Sequence, residues 1–456
     1  MNARQPTTRL IEDFRVNLSS AEIATAEAAN SRAVASQAYL YALPAFLHMR
    51  QLTEFIQGRR YFAPDVPPIG GWILVRKLSD SKTDNRYPNV DTLYGAAYLL
   101  LAEHGPVVLT LPPIPDRYFS VALHDAYFNN FAVVGTSSGD VDGARLLIVP
   151  PGWDAPVPAG IDRVIEAPTP VINLYQRIFV HDASEYDELH ALQDRITLTP
   201  LATPSFPELD LTAWDVPQMR GISDPLAMFA LAKRYIALNG WPAGDDGLIA
   251  LFETVGLGPT SELPSEESTV SAVRQGATDA QTAIDARLSA GPFRRGWNVP
   301  DPNAGVPGPH ILSRAATQAS QIGSLVPSEA VYFFAHLDED GEALTGRNRY
   351  TLTFEPGSLP PLDRQGFWSV TMYGSDALLV DNQLDRYIIR PDSAGLAYGA
   401  DGSLTLHLQA DAPEDPPTAN WLPSPSAEFV IGFRAYRPTV SIQDGSWFPP
   451  AIRRVR

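Results

Sequence analysis

Two stretches of this chain, about 240 residues apart, are built to nearly the same plan. Residues 108–121 read VLTLPPIPDRYFSV, and residues 351–370 read TLTFEPGSLPPLDRQGFWSV. Each begins with an apolar, Thr-bearing run and passes through a Pro-rich turn carrying Asp-Arg. A second run then opens on an aromatic residue followed by Ser-Val. Leu109–Thr110 match Leu352–Thr353, and Asp116–Arg117 match Asp363–Arg364. Phe119–Ser120–Val121 match Trp368–Ser369–Val370. Solenoid units run to roughly 20–50 residues, so a spacing this long predicts two related β-domains separated by an insert.

The remaining patterns fill in that plan. Ser19 followed by Glu22 reads as a capping box. The Ala-rich run Ala21–Leu43 behind it predicts a helix that Pro44 breaks or kinks. Short β-like runs follow at Tyr98–Leu101, Val107–Leu111, Tyr118–His124, Asn130–Val134, Ala144–Val149 and Val171–Val180. Turn signals such as Pro112–Pro113 and Pro150–Pro151–Gly152 separate them, as in a sandwich or jelly roll. Helical patterns occupy Ser184–Ile196, Asp224–Asn239, Gly247–Val255, Glu266–Leu288 and His310–Leu325. Strands return at Ala330–Leu337, Tyr350–Phe354, Phe367–Tyr373, Tyr387–Arg390, Leu404–Gln409 and Glu428–Tyr436. The expected fold is α+β, mainly β: two β-sandwich, jelly-roll-like domains related by internal duplication. The expected divisions are an N-terminal helical region (1–62), a first β-domain (63–182), a helical insert (183–326) and a second β-domain (327–456).

Composition excludes several kinds of chemistry. The absence of cysteine removes disulfides, thiol nucleophiles, iron–sulfur clusters and thiolate zinc sites. The eight histidines include no H-x-H or H-E-x-x-H spacing, so no metal is expected. No Walker loop and no G-x-G-x-x-G after a strand occurs, so no nucleotide or other cofactor is expected either. A formal charge of −18 argues against nucleic acid as a partner. Met1–Phe14 has no apolar targeting run and no stretch approaches 18 apolar residues, so a membrane is not expected and a cytoplasmic location is. Gly135–Gly139 formally matches G-x-S-x-G, but strand-like runs flank it on both sides. That arrangement describes a hairpin loop and not a nucleophile elbow.

Two segments carry the most chemistry, Arg86–Tyr94 (RYPNVDTLY) and His124–Asn130 (HDAYFNN). Alternation places Phe119, Val121 and Leu123 on one face, with Tyr118, Ser120, Ala122 and His124 on the other. His124, beside Asp125 and ahead of Tyr127 and Asn129, is suitable equipment for general acid–base work. The other reading is a half-exposed sheet histidine next to a turn-capping aspartate. Asp91 is a candidate catalytic carboxylate or a cap for its own loop. Tyr94, Trp368, Tyr373, Arg386 and Trp421 are candidate substrate contacts, while aromatics of this density also build sandwich cores. Arg349, Arg386 and Arg434 suit a carboxylate or phosphate, or staple loops to sheets.

The motifs NVDTLY, DRYFSVALHDAYFNNFAVVGT, LLIVPPGW and HALQDRITLTPL resemble the N-terminal half of a bacterial and fungal family. NRYTLTF, LPPLDRQGFWSVTMYGSDALLVDNQLDRYII, GSLTLHLQ, NWLPSP and DGSWFPP resemble its C-terminal half. These halves are labelled domains of unknown function twelve fifty-four and twelve fourteen. The resemblance runs from about residue 38 to the end. It implies two jelly-roll-like β-domains around a helical segment, and no established mechanism. It also implies two departures: an apolar residue is usual where His124 stands, and an aromatic-Gly, acidic segment is usual where Gly305–His310 precedes Arg314. His310 and Arg314 therefore join the substrate-binding candidates. The expected function is a cofactor-independent hydrolase, lyase or isomerase acting on a small organic molecule held between the β-domains and the insert. The alternative is a ligand-binding or scaffolding protein without turnover. A homo-oligomer is compatible with either.

Overall fold

The computed structural model describes residues 17–58, 69–214, 216, 219–289, 291–414 and 418–455. The start of the chain and the expected boundary near residue 62 lie outside the described residues. Helices hold 30% of the residues and strands 26%, an α+β chain with the two kinds in near-equal measure.

Helix α1 (Ser20–Ile56) opens on the anticipated capping box: Ser19 Oγ accepts from the Glu22 amide, and Glu22 Oε2 accepts from the Ser19 amide. Its Ala-rich first half suits a solvated helix. Of the two outcomes expected at Pro44, a break does not occur: α1 continues through it to Ile56. A mid-helix proline forfeits one hydrogen bond and costs about 3 kcal/mol. Every residue from Ala38 to Met49 is buried, and this tertiary packing offsets that cost.

The first β-half contains β1 (Ile73–Leu74), β2 (Thr92–Leu100), helix α2 (Leu101–His104), β3 (Val107–Leu111), β4 (Phe119–His124) and β5 (Asn130–Gly135). It continues with β6 (Ala144–Val149), β7 (Arg163–Glu166), β8 (Val171–Phe179), helix α3 (Tyr186–Arg195) and β9 (Thr197–Pro200). A five-stranded sheet has the order β1-β2-β8-β4-β5, and a four-stranded sheet the order β7-β6-β3-β9. One core joins them, drawing Leu93, Phe119, Val121 and Leu174 from the larger sheet and Val107, Leu109, Leu146 and Ile148 from the smaller.

Helices α4 (Pro225–Asn239), α5 (Asp246–Glu253), α6 (Glu267–Ser289) and α7 (Ile311–Ser320) pack on α1 and share its core. Where α6 crosses α1, a Cβ on Gly276 would meet the Arg32 carbonyl at 2.4 Å, so glycine sets how closely the backbones approach.

The second β-half comprises β10 (Phe293–Arg294), β11 (Trp297–Asn298), β12 (Ala330–Ala335), β13 (Tyr350–Phe354), β14 (Leu362–Gly374) and β15 (Ile388–Ile389). Then come β16 (Leu404–Gln409), β17 (Trp421–Pro423), β18 (Phe429–Pro438), helix α8 (Val440–Gln443) and β19 (Ile452–Arg454). Its sheets run β10-β11-β12-β18-β14-β15 and β17-β16-β13-β19. The strand order of the first half recurs, down to a parallel outer pair in each small sheet, β6 with β7 and β16 with β17. In both halves the repeated segment crosses from the small sheet (β3, β13) to the large one (β4, β14). One detail differs: Asp363–Arg364 lie inside β14 at a register shift, whereas Asp116–Arg117 precede β4.

Short strands escaped the sequence patterns because two to four residues show little periodicity. β9 carries the first half past residue 182, and β10 and β11 begin the second before 327. The two large sheets also face each other. Tyr118, Ala122 and Phe179 of the first pack against Ala330, Phe367 and Tyr436 of the second. The far end of the first sheet, Tyr98, Leu100 and Val171, is covered by the helices instead.

Candidate functional site

His124 ends β4 at the seam where the first large sheet passes from the second β-half to the helices. Its cross-strand partner is Asn173, while Ala122 pairs with Tyr175 and Ser120 with Arg177. These six residues share one sheet face. The half-exposed sheet histidine of the alternative reading is not what the fold gives, because His124 has no solvent exposure. Among the described residues neither ring nitrogen completes a hydrogen bond of good geometry, although the Gly323 and Asn173 backbones interact with the ring. The ring packs against Tyr175 at 5.5 Å and Phe128 at 6.3 Å. Burial pushes its pKa well below the usual histidine value, and the charges of Arg177 and His48 push the same way. The backbones of Gly323 and Asn173 offset part of this. His124 is therefore a neutral imidazole at physiological pH.

Arg177, which the sequence patterns did not single out, is the cation of the seam. It is buried, and its Nη2 donates to the Gly323 carbonyl at 3.3 Å. Among the described residues its Nε and Nη1 meet no hydrogen-bond partner. The guanidinium lies 5.0 Å from the Tyr94 ring centroid and 5.8 Å from that of Tyr175. Gly323 thus lies beside both His124 and Arg177. A Cβ there would meet Tyr175 ring carbon Cε2 at 2.5 Å, and its φ of +67° suits glycine. The legible signal for Arg177 was an arginine in the i, i+2 row with Asn173 and Tyr175 inside a strand otherwise dominated by apolar residues.

His48 of α1 completes the far side. Its Nδ1 lies 2.6 Å from the Tyr235 hydroxyl and its Nε2 3.1 Å from Asn173 Oδ1. Burial pushes it down to about 3.

The other proposed residues divide clearly. Asp125 does not orient His124. Its Oδ1 accepts from the Tyr127 and Asn129 amides at 2.8 and 2.9 Å, and its Oδ2 accepts from Asn129 Nδ2 at 2.9 Å. It caps its own turn, where Phe128 adopts φ +60°. The Tyr127 hydroxyl donates to the Gly240 carbonyl at 2.7 Å. Asp91 is fully buried but lies between the β-halves, where Ser369 donates to it at 2.9 Å. Burial raises its pKa, with Arg434, Arg390 and Ser369 pulling the other way.

Tyr94 reaches the seam under Arg177, and Arg314 is buried on α7. His310, at the start of α7, is exposed. Tyr373 donates to the Pro88 carbonyl and accepts from Arg434 Nη2 at 2.6 Å. Trp368 belongs to the core between the second half's sheets. Arg386 donates to the Thr418 and Trp421 carbonyls, and Trp421 Nε1 donates to the Gln409 carbonyl. These last three side chains build the second half.

A cavity of about 270 Å³ lies between α6, α7 and β12, lined in part by Ser313, Thr317, Gln321, Ser324 and Tyr332. His124, Asp125, Asp91 and Tyr127 do not line it. Gln321, Ser324 and Tyr332 line this cavity, and Gly323 of the same segment accepts from Arg177 through its carbonyl. The G-x-S-x-G stretch turns between β5 and β6, which belong to different sheets, so it is neither an elbow nor a hairpin within one sheet. Among the described residues no group of three or more His, Asp or Glu could hold a metal ion, and no helix is long and apolar enough to cross a membrane.

This architecture, two double-sheet β-halves with a shared helical layer, defines an α+β chain with a polar seam. The family description "Protein of unknown function (DUF1254)" matches residues 72–200, and "Protein of unknown function (DUF1214)" matches residues 329–440. The chain belongs to this two-domain family of unknown function. It is similar in fold to the VPA0106 protein from Vibrio parahaemolyticus, with a TM-score of 0.71 and 19% identity over 93% of this chain and 100% of that one. A putative uncharacterized protein from Burkholderia cenocepacia aligns at a TM-score of 0.44 and 13% identity, over 95% of this chain and 96% of that one. No curated protein matches.

Proposed function

We propose that the protein binds a small organic molecule at the seam between the first large sheet, the second β-half and α7, with His124 as its proton-transfer group. One observation carries this reading: Arg177 and His124 are buried around Gly323 with four side-chain nitrogens that complete no hydrogen bond of good geometry among the described residues. Unpaired buried polar groups cost about 1–3 kcal/mol each, so retaining four favours a use for them. A neutral imidazole can accept a proton, and an adjacent guanidinium stabilises developing negative charge. No cofactor is invoked. The net charge of −18 disfavours nucleic acid as the partner. The same reading takes the two halves as duplicated β-sandwiches, supported by a strand order that recurs apart from the additional β10 at the edge of the second large sheet.

The second reading, binding without turnover, is favoured by Asp125, whose carboxylate serves its own turn and leaves His124 without an acidic partner. A panel of small esters, amides and hydroxy acids, incubated with the full chain and followed by mass spectrometry, separates the two. Turnover that falls about 10²-fold in His124→Leu supports catalysis. Turnover unchanged in that variant removes His124 from the mechanism. Binding that is lost in Arg177→Met, with no compound consumed, establishes the second reading.

A further inference from the structure

Arg314 presents an unused carboxylate fork. The side chain is 2% exposed on the inner face of α7, and among the described residues it forms no ion pair within 4.0 Å. Among the described residues its Nε and Nη2 meet no hydrogen-bond partner. Those two nitrogens form one edge of the guanidinium, spaced to match the two oxygens of a carboxylate. The chain uses the same edge elsewhere: Arg32 grips Asp279 through Nε at 2.6 Å and Nη2 at 2.7 Å.

The Arg314 plane is held in place by the rings of Tyr41 and Tyr127, with centroids 4.9 and 5.3 Å from its central carbon. Both hydroxyls are engaged away from it, Tyr41 on Asp245 and Tyr127 on the Gly240 carbonyl. The acids that act on this cluster, Asp125 and Asp245, do not fill the fork either. Asp125 is occupied by the Asn129 and Tyr127 donors, and Asp245 by Tyr41.

We propose that the Nε–Nη2 edge of Arg314 anchors the carboxylate of a small organic acid bound between α7, α1 and the Asp125–Asn129 turn. Asp125 and Asp245 act electrostatically on this same cluster, so a second negative charge on the ligand is penalised. A singly charged carboxylate therefore fits better than a phosphate dianion. The anchoring group differs from those of the seam, Arg314 in place of Arg177 and His124, so either assignment can fail without the other.

Calorimetric titration of the full chain with benzoate, neutral benzamide and inorganic phosphate tests the assignment. Wild type is expected to bind benzoate and not benzamide, and phosphate more weakly than benzoate. Arg314→Lys, which keeps the charge and loses the fork, should weaken benzoate at least 10-fold, while the surface change Arg347→Met leaves it unaltered. Benzoate affinity unchanged in Arg314→Lys, matched by benzamide, or surpassed by phosphate would overturn the proposal. So would affinity lost in Arg177→Met but kept in Arg314→Lys. Should Arg314→Lys fail to fold, wild-type co-crystals with 4-bromobenzoate decide through bromine anomalous scattering. A ligand whose carboxylate sits on Nε and Nη2 supports the site, and a signal elsewhere or none overturns it.

Discussion

Ser369 donates a hydrogen bond of 2.9 Å to Asp91 across 278 residues of sequence, and both are fully buried. Ser369 is the repeat partner of Ser120, which accepts instead from the Tyr118 hydroxyl at 3.0 Å. Matched serines on the two facing sheets thus serve different partners. Around Asp91, Arg434 donates to Thr371, Tyr373 and the Tyr87 and Pro88 carbonyls, so a polar layer joins the β-halves.

This layer makes the join sensitive to pH. Burial raises the folded pKa of Asp91, so its contribution is full below the ordinary carboxylate range and is lost as pH rises through the raised value. Ser369 favours the ionised form. Ser369→Ala should therefore cost about 1–3 kcal/mol at pH 7.5 and less at pH 4.5, read from urea midpoints. An equal cost at both values would show that Asp91 does not titrate in this window.

His124→Leu should stabilise the unliganded chain by about 1–3 kcal/mol at pH 7, because it removes two unpartnered buried nitrogens. His124 has a depressed folded pKa, so wild type loses its contribution as pH falls below the unfolded value near 6.5. The advantage of the leucine variant should grow by up to about 1.4 kcal/mol per pH unit between pH 6.5 and 5. Denaturant curves in which wild type is the more stable protein at pH 7 would mean that His124 has a partner in the folded state.

Gly323→Ala combines a left-handed backbone with a contact of 2.5 Å against Tyr175 Cε2. It should cost about 2 kcal/mol or more and shift the tyrosine that packs on His124. Thermal unfolding at the wild-type temperature would show that the ring can yield freely.

Gly276→Ala tests the helical layer. The added Cβ would meet the Arg32 carbonyl at 2.4 Å and Ala35 Cβ at 2.9 Å, pushing α6 from α1. A loss of about 1–3 kcal/mol is expected. A gain from the better helix propensity of alanine would show that the two helices separate without penalty.

Much of the scaffold was legible beforehand. Tyr350–Phe354, Val107–Leu111, Ala144–Val149 and Leu404–Gln409 are strands at the predicted bounds, since each shows apolar periodicity over five or six residues. Pro44 was misleading because a local rule about helix breaking yields to burial on all sides of α1. The seam was only half legible. His124 and Tyr94 stand out by residue type, and of the two roles open to Asp125 the turn cap is the one it fills, while Arg177 inside β8 carries no comparable local signal.

The amino-acid order alone determined the repeated strand pair, the capped first helix, the run of helices between the halves and the absence of any cysteine chemistry. These depend on neighbours a few residues apart, where backbone and side-chain preferences act directly. Tertiary structure alone decided that the outer faces of the two large sheets pack on each other, which places Asp91 beside Ser369. It also decided that Arg177, His124 and Gly323 meet at one seam. Burial and charge pairing there depend on which distant strand lies opposite, and no spacing along the chain encodes that.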